Sequence, residues 1–240
     1  MALSRPEYQP PGAFQLIPPV VKNLLIINGL VFLAQLVFRM QAGSGSIGPV
    51  EEWFALWPAG IPLSEPLPDF GGRFWPWQLV TTAFLHGDFF HLLFNMFGLW
   101  MFGGVVEQTL GSKRFAVLYA ACVLGASAMQ LGVVSYPFLG DALPPGAYYP
   151  TVGASGGVLG VLAAFAVLYP EQKIFLLFLP VPIPAKWFVL GYAAIDILGG
   201  VGAYGSNIAH FAHLGGMLSG FLLIQYWRGK LPVKPAARAA

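Results

Sequence analysis

Thr151-Val152-Gly153-Ala154-Ser155-Gly156-Gly157-Val158-Leu159-Gly160 opens an uncharged apolar run with glycines and places one hydroxyl, Ser155, at its head. A polar side chain in such surroundings needs a partner, because burying it alone is costly. Two other polar clusters lie in equally apolar stretches: His91-Leu92-Leu93-Phe94-Asn95, and Ala212-His213-Leu214-Gly215-Gly216 with Gly220 beyond. A serine, a histidine and a donor amide are the parts of acyl transfer: nucleophile, base and oxyanion donor.

Composition sets the solvent in which these parts meet. The 240 residues are 57% hydrophobic and 9% charged, with a mean hydropathy of +0.69, against about 25% charged in soluble domains. The chain is therefore read as an integral, multi-pass membrane protein with the lipid bilayer as its partner. A net charge of +2 comes from residues scattered between apolar runs and not from one basic face, which excludes nucleic acid as a partner. The single cysteine, Cys122, has no partner in the chain and sits in an apolar run, where it reads as packing. Residues before Val20 are proline-rich and lack the apolar core of a cleaved signal peptide.

A helix crosses the hydrocarbon core in about 20 apolar residues, and six spans are expected. They run Val20 to Met40, Phe89 to Val106, Phe115 to Val134, Val152 to Tyr169, Lys186 to Tyr204 and Asn207 to Trp227. The fifth begins only after Pro180, Pro182 and Pro184, which break any earlier helix. Gln41 to Gln78 is a long connection rich in Gly, Pro and Trp, with a short amphipathic helix at Glu51 to Trp57, and its tryptophans favour the membrane interface. The fold class is thus an all-α six-helix membrane bundle with a long interfacial loop after the first helix. Residues 1–19 form a cytoplasmic N-terminal segment, 20–227 the membrane domain and 228–240 a basic tail. Ten Lys and Arg residues fall on the side of the N-terminus and two, Arg39 and Arg73, on the other. That asymmetry puts both termini in the cytoplasm of a plasma-membrane protein.

The second, fourth and sixth spans then enter from the same face. His91, Asn95, Ser155 and His213 lie two to six residues into their spans, within about 10 Å of that face at 1.5 Å per residue. His91 and Asn95, four apart, share one helix face. Gly156-x-x-x-Gly160 and Gly216-x-x-x-Gly220 let the fourth and sixth helices approach closely enough to join Ser155 and His213. Each feature has an ordinary reading alone, since a serine bonds back to its own helix and a histidine packs. Four of them at one depth are a site.

His91-x-x-x-Asn95, Glu107-x-x-x-Gly111, Gly153-Ala154-Ser155-Gly156 and Ala212-His213-x-x-Gly216-x-x-x-Gly220, in that order along the chain, resemble the rhomboid intramembrane serine proteases. The resemblance covers roughly residues 75 to 225. It implies a six-helix bundle with a Ser-His dyad, and a substrate that is itself a transmembrane segment. It implies Ser155 as nucleophile and His213 as general base. Asn95 and His91, with the backbone around Gly153, would stabilise the oxyanion and the substrate. His210, one turn earlier, lacks the glycine three residues on and is read as interfacial; His86 is read as a polar loop residue. Asp196, in the fifth span, is either part of a polar path or the partner of a helix terminus. Where the family often has arginine after tryptophan, the chain has Trp77-Gln78, which puts one loop contact in question.

No H-E-x-x-H and no cofactor motif occurs, so neither metal nor cofactor is expected. Two other functions fit a membrane bundle. A catalytically dead relative that binds transmembrane clients would usually lack the serine or the histidine, and both are present. A transporter would line most of the bilayer depth with polar residues or pair broken helices in two halves, whereas here the polar residues cluster near one face.

Overall fold

The computed structural model describes residues 17–42, 47–60, 72–135, 150–176, 179–202 and 209–233. The proline-rich start, the connection between the third and fourth spans, and the tail residues Lys234 and Arg238 lie outside the described residues. The chain is a mostly helical membrane protein. Helix α1 covers Pro19–Ala42, α2 Pro49–Phe54 and α3 Gln78–Thr81, the last running into a 3-10 turn at Thr82–Phe84. Next come α4, Phe89–Gly98, a π-helical segment at Leu99–Gly103, and α5, Gly104–Leu110. Then follow α6, Ser112–Ser135; α7, Ser155–Leu168; strands β1, Lys173–Leu176, and β2, Leu179–Pro184; α8, Ala185–Gly202; and α9, His210–Trp227.

Among the described residues, three helices are long and apolar enough to cross a membrane: α1, the composite Phe89–Leu110, and α6. Their outward faces, with Leu30, Leu33, Phe90, Phe94 and Val117 exposed, offer more continuous apolar surface than a soluble protein carries. Helix α7 is shorter, 14 residues, and buried on every side except at Ser155 and Val167. A helix apolar all round belongs at the centre of a bundle.

The ends of these elements have local causes. Pro19 presets the first turn of α1. The orphan amides of Val20 and Val21 donate to the two carboxylate oxygens of Glu107, at 3.0 and 2.8 Å, and Ser112 Oγ donates to the same carboxylate at 2.7 Å. The buried carboxylate in the first turn of α5 is thus the N-terminal cap of α1. Gly111, at φ +78°, ends α5 and turns the chain into α6. At the other end of α1, Arg39 pairs with Glu51 at 2.7 Å and donates to the Gly87 carbonyl at 2.9 Å. Gln35 grips the peptide of His86 from both sides, accepting from its N–H at 2.9 Å and donating to its carbonyl at 3.2 Å.

The described parts of the long connection are folded. Gln78 is fully buried, accepts from the amides of Trp57 and Trp75 at 3.3 and 3.2 Å and donates to the carbonyls of Trp53 and Arg73 at 3.2 and 2.9 Å. The glutamine after Trp77 therefore organises this turn by itself. Leu56 and Thr151 exchange backbone hydrogen bonds at 3.0 and 2.9 Å, which ties the connection to the segment entering α7. The stretch expected to be merely proline-broken, Ile174 to Ile183, forms an antiparallel hairpin with Ile174 opposite Ile183. Between Ile174 and Leu176 the register shifts, and the partner strand carries Pro180 and Pro182 across that irregularity, where proline's missing donor is tolerated.

Candidate active site

Helices α7 and α9 touch backbone to backbone. A Cβ added to Gly216 would overlap the Gly156 carbonyl, one on Gly220 would overlap the Gly160 carbonyl, and one on Gly160 would stand 2.6 Å from the Gly216 carbonyl. Both small-residue pairs thus face each other, as their spacing leads one to expect. At the head of this contact, Ser155 Oγ lies 2.9 Å from His213 Nε2.

Both residues sit at helix starts and not several residues inside. Ser155 is the first residue of α7, because Thr151 to Gly153 run outside the helix and Gly153 takes φ +134°, which a side chain strongly disfavours. The Gly153 amide donates to the Thr82 carbonyl at 3.0 Å. His213 is in the first turn of α9, since Ala209 is not helical. His91 is in the first turn of α4, whose N-cap Asp88 accepts from the His91 amide at 2.9 Å. Its ring stands 2.8 Å from where a Gly153 Cβ would be, and Ser155 Oγ is 3.6 Å from the same point. Gly153 thus makes the gap in which the imidazole of His91 approaches Ser155. Asn95 is buried one turn further along α4, with one amide hydrogen on the His91 carbonyl at 2.8 Å.

Reading along the chain finds no acid beside His213, but the fold supplies one from α8. His213 Nδ1 is 3.2 Å from each oxygen of Asp196, and His210 Nδ1 is 2.7 Å from one of them. Asp196 is 2% exposed. Tyr192, one turn before it, packs against the His213 ring with centroids 6.2 Å apart. His210 is thereby part of the polar cluster and not a surface residue at the interface. The signal in the sequence is that a lone carboxylate in an apolar span implies a buried partner; helix phase alone does not say which one.

His86 is also placed differently from a polar loop residue. It is fully buried, neither ring nitrogen has a hydrogen-bond partner among the described residues, and its ring meets that of His91 edge-on at 5.2 Å. Burial, assisted by His91, lowers its pKa to about 4.

A family model described as the rhomboid domain matches residues 73–229. Rhomboid protein 1, mitochondrial, of Saccharomyces cerevisiae is 37% identical over 145 residues, 60% of this chain and 40% of its own length. Presenilin-associated rhomboid-like protein, mitochondrial, is 32% identical in Mus musculus over 89% of this chain and 30% identical in Homo sapiens over 86%, each match covering 51% of the relative. The chain spans about half the length, or less, of these relatives. Their mitochondrial names overturn the plasma-membrane location with cytoplasmic termini expected from the charge count. Counting Lys and Arg distinguishes the two sides of a bilayer and says nothing of which bilayer it is.

Proposed function

The chain belongs to the rhomboid family, and from that premise we propose that it is an intramembrane serine protease that hydrolyses peptide bonds in or near transmembrane segments of membrane-protein substrates. The observation that carries the reading is the 2.9 Å contact between Ser155 Oγ and His213 Nε2 at the head of the α7–α9 contact. Six spans follow in this reading: α1, α4 with α5, α6, α7, α8 and α9, with the segment between α1 and α4 lying in the membrane interface. Trp53, Trp75 and Trp77, stacked and about half exposed, are its interfacial face.

In the proposed reaction Ser155 Oγ attacks the scissile carbonyl carbon while its proton passes to His213 Nε2. Asp196 accepts the Nδ1 hydrogen, fixes the tautomer that leaves Nε2 free to accept, and stabilises the imidazolium that forms. The dyad implied by the resemblance thus gains a positioning residue. The Ser155 amide, His91 and Asn95 donate to the oxyanion. As the C–N bond breaks, His213 returns the proton to the leaving amine, and water then cleaves the acyl-enzyme by the same steps. A fluorophosphonate probe should label the detergent-purified chain, and Ser155→Ala should abolish labelling. Equal labelling of the alanine variant overturns the nucleophile.

A further inference from the structure

Asp196 lies between two imidazoles, although orienting His213 requires only one of them. The ligand atoms of Asp196, His210 and His213 all lie within 4.8 Å of one another. The two histidines are three apart on α9 and the acid faces them from α8, so the three converge from two rigid helices. We propose that Asp196, His210 and His213 bind a divalent transition-metal ion of the zinc type, and that its binding switches His213 off as a base.

The distances suit such an ion. With Zn–N and Zn–O bonds of about 2.0–2.2 Å, neighbouring ligand atoms of a tetrahedron stand about 3.3 Å apart. His213 Nδ1 is already 3.2 Å from each Asp196 oxygen, His210 Nδ1, at 2.7 Å, has to open slightly, and the widest-spaced pair of the three, within 4.8 Å, has to close to that spacing. Two imidazoles and a carboxylate are the donor set of open zinc sites, with water as fourth ligand, and they favour zinc, nickel or copper over magnesium or calcium. The carboxylate is buried, and a divalent ion supplies an opposite charge beside it.

The switch follows from proton placement. A neutral imidazole has one N–H and one lone pair. Coordination through Nδ1 uses that lone pair, so the single proton of His213 moves to Nε2, and His210 likewise keeps its proton on Nε2. The His213 Nε2–H then donates to Ser155 Oγ, and nothing is left to accept the serine proton. No proton is gained or lost by the imidazoles, and removal of the metal restores the base.

The inhibitory half rests on the protease reading; the metal site does not, and the test separates them. The 240-residue Ser155→Ala chain in detergent, titrated with Co²⁺, should develop the visible absorption of low-coordinate cobalt, and Zn²⁺ should displace it. His210→Ala and the size-preserving His210→Gln, each in the Ser155→Ala background and with an unchanged thermal unfolding midpoint, should weaken binding about 10- to 100-fold or more. In the active chain, buffered free Zn²⁺ should stop cleavage of a transmembrane reporter, a chelator should reverse it, and His210→Gln should raise the inhibitory concentration by a similar factor relative to its own uninhibited rate. No cobalt spectrum, or the same spectrum in both folded His210 variants, overturns the site. A cobalt spectrum with cleavage indifferent to zinc overturns the switch. A cobalt spectrum from a chain that cleaves nothing at any zinc level leaves the site standing and overturns the protease reading.

Discussion

Asp196 accepts from two imidazoles at once, and the consequence for His213 is the choice of tautomer. In Asp196→Asn the amide can donate to His213 Nδ1, leaving the proton on Nε2, where it blocks acceptance from Ser155. Turnover of a transmembrane reporter should fall by about 10²- to 10⁴-fold, the worth of general-base catalysis, with KM little changed. Full activity in that variant would return orientation to packing against Tyr192 alone. Asn95→Ala should lower kcat by about a hundred-fold or less at similar KM, since an oxyanion donor acts in the transition state; a change confined to KM would move Asn95 to substrate binding. His86 gives a pH dependence. Its pKa of about 4 in the folded chain lies below the roughly 6.5 of an unfolded histidine. Between these values the unfolded state binds a proton that the folded state refuses, so stability is full above about pH 6.5 and falls as pH drops toward 4, by on the order of 3 kcal/mol in all. Thermal unfolding in detergent should therefore have a lower midpoint at pH 5 than at pH 7.5, and His86→Gln should flatten the difference. Ser155, His213, His91 and Gly153 were legible as residues because serine, histidine and glycine stand out against apolar runs. Asp196 stood out equally, but its partners are 14 and 17 residues away on another helix, a relation only the packing fixes.

At the scale of elements, the apolar lengths marked α1, α6, α7 and α9 to within a few residues, since a span is specified by uninterrupted hydrophobicity. The pairing of β1 with β2 was not legible, because three prolines argue against a helix without announcing a strand. The π-helical segment at Leu99–Gly103 leaves no trace in an apolar pattern, which does not distinguish one extra residue in a turn. The glycine pairs gave the α7–α9 contact correctly, and that contact can be tested. Gly216→Val would push its side chain into the Gly156 carbonyl, and overpacking of this kind costs about 1–3 kcal/mol. The unfolding midpoint should drop, and fluorophosphonate labelling should drop with it as Ser155 and His213 part. Gly104 in α5 is the contrasting case, with nothing within 4 Å of an added Cβ. Gly104→Ala should be neutral or stabilise by up to about 1 kcal/mol through the unfolded chain, with labelling intact. Equal loss in both variants would mean that α7 and α9 are held by something other than their close approach.

The whole molecule is polarised along the bundle. Ser155, His213 and His91 sit at the starts of α7, α9 and α4, beside the connection that follows α1, while Glu107 at the start of α1 and Arg114 over Trp227 mark the opposite end. Helix α7 has 14 residues, about 21 Å at 1.5 Å each, against a hydrocarbon core of about 30 Å. In the proposed six-span reading, with the C-terminal end of α7 at the far side, where Arg228 donates to the Val167 carbonyl, its Ser155 end would lie about 9 Å beneath the near surface. Water for deacylation has the shorter path from that side. A substrate helix hides its peptide bonds in internal hydrogen bonds, so it can offer one to Ser155 only where Gly or Pro loosens it. Cleavage should therefore fall within about six residues of the substrate helix's end on the Ser155 side, from 9 Å at 1.5 Å per residue. Reporter helices with Gly or Pro in that region should be cut, and the same residues moved to the opposite end should not restore cleavage. Cut sites mapped by mass spectrometry to the opposite third of the helix would contradict the depth of Ser155 and the polarity of the bundle together.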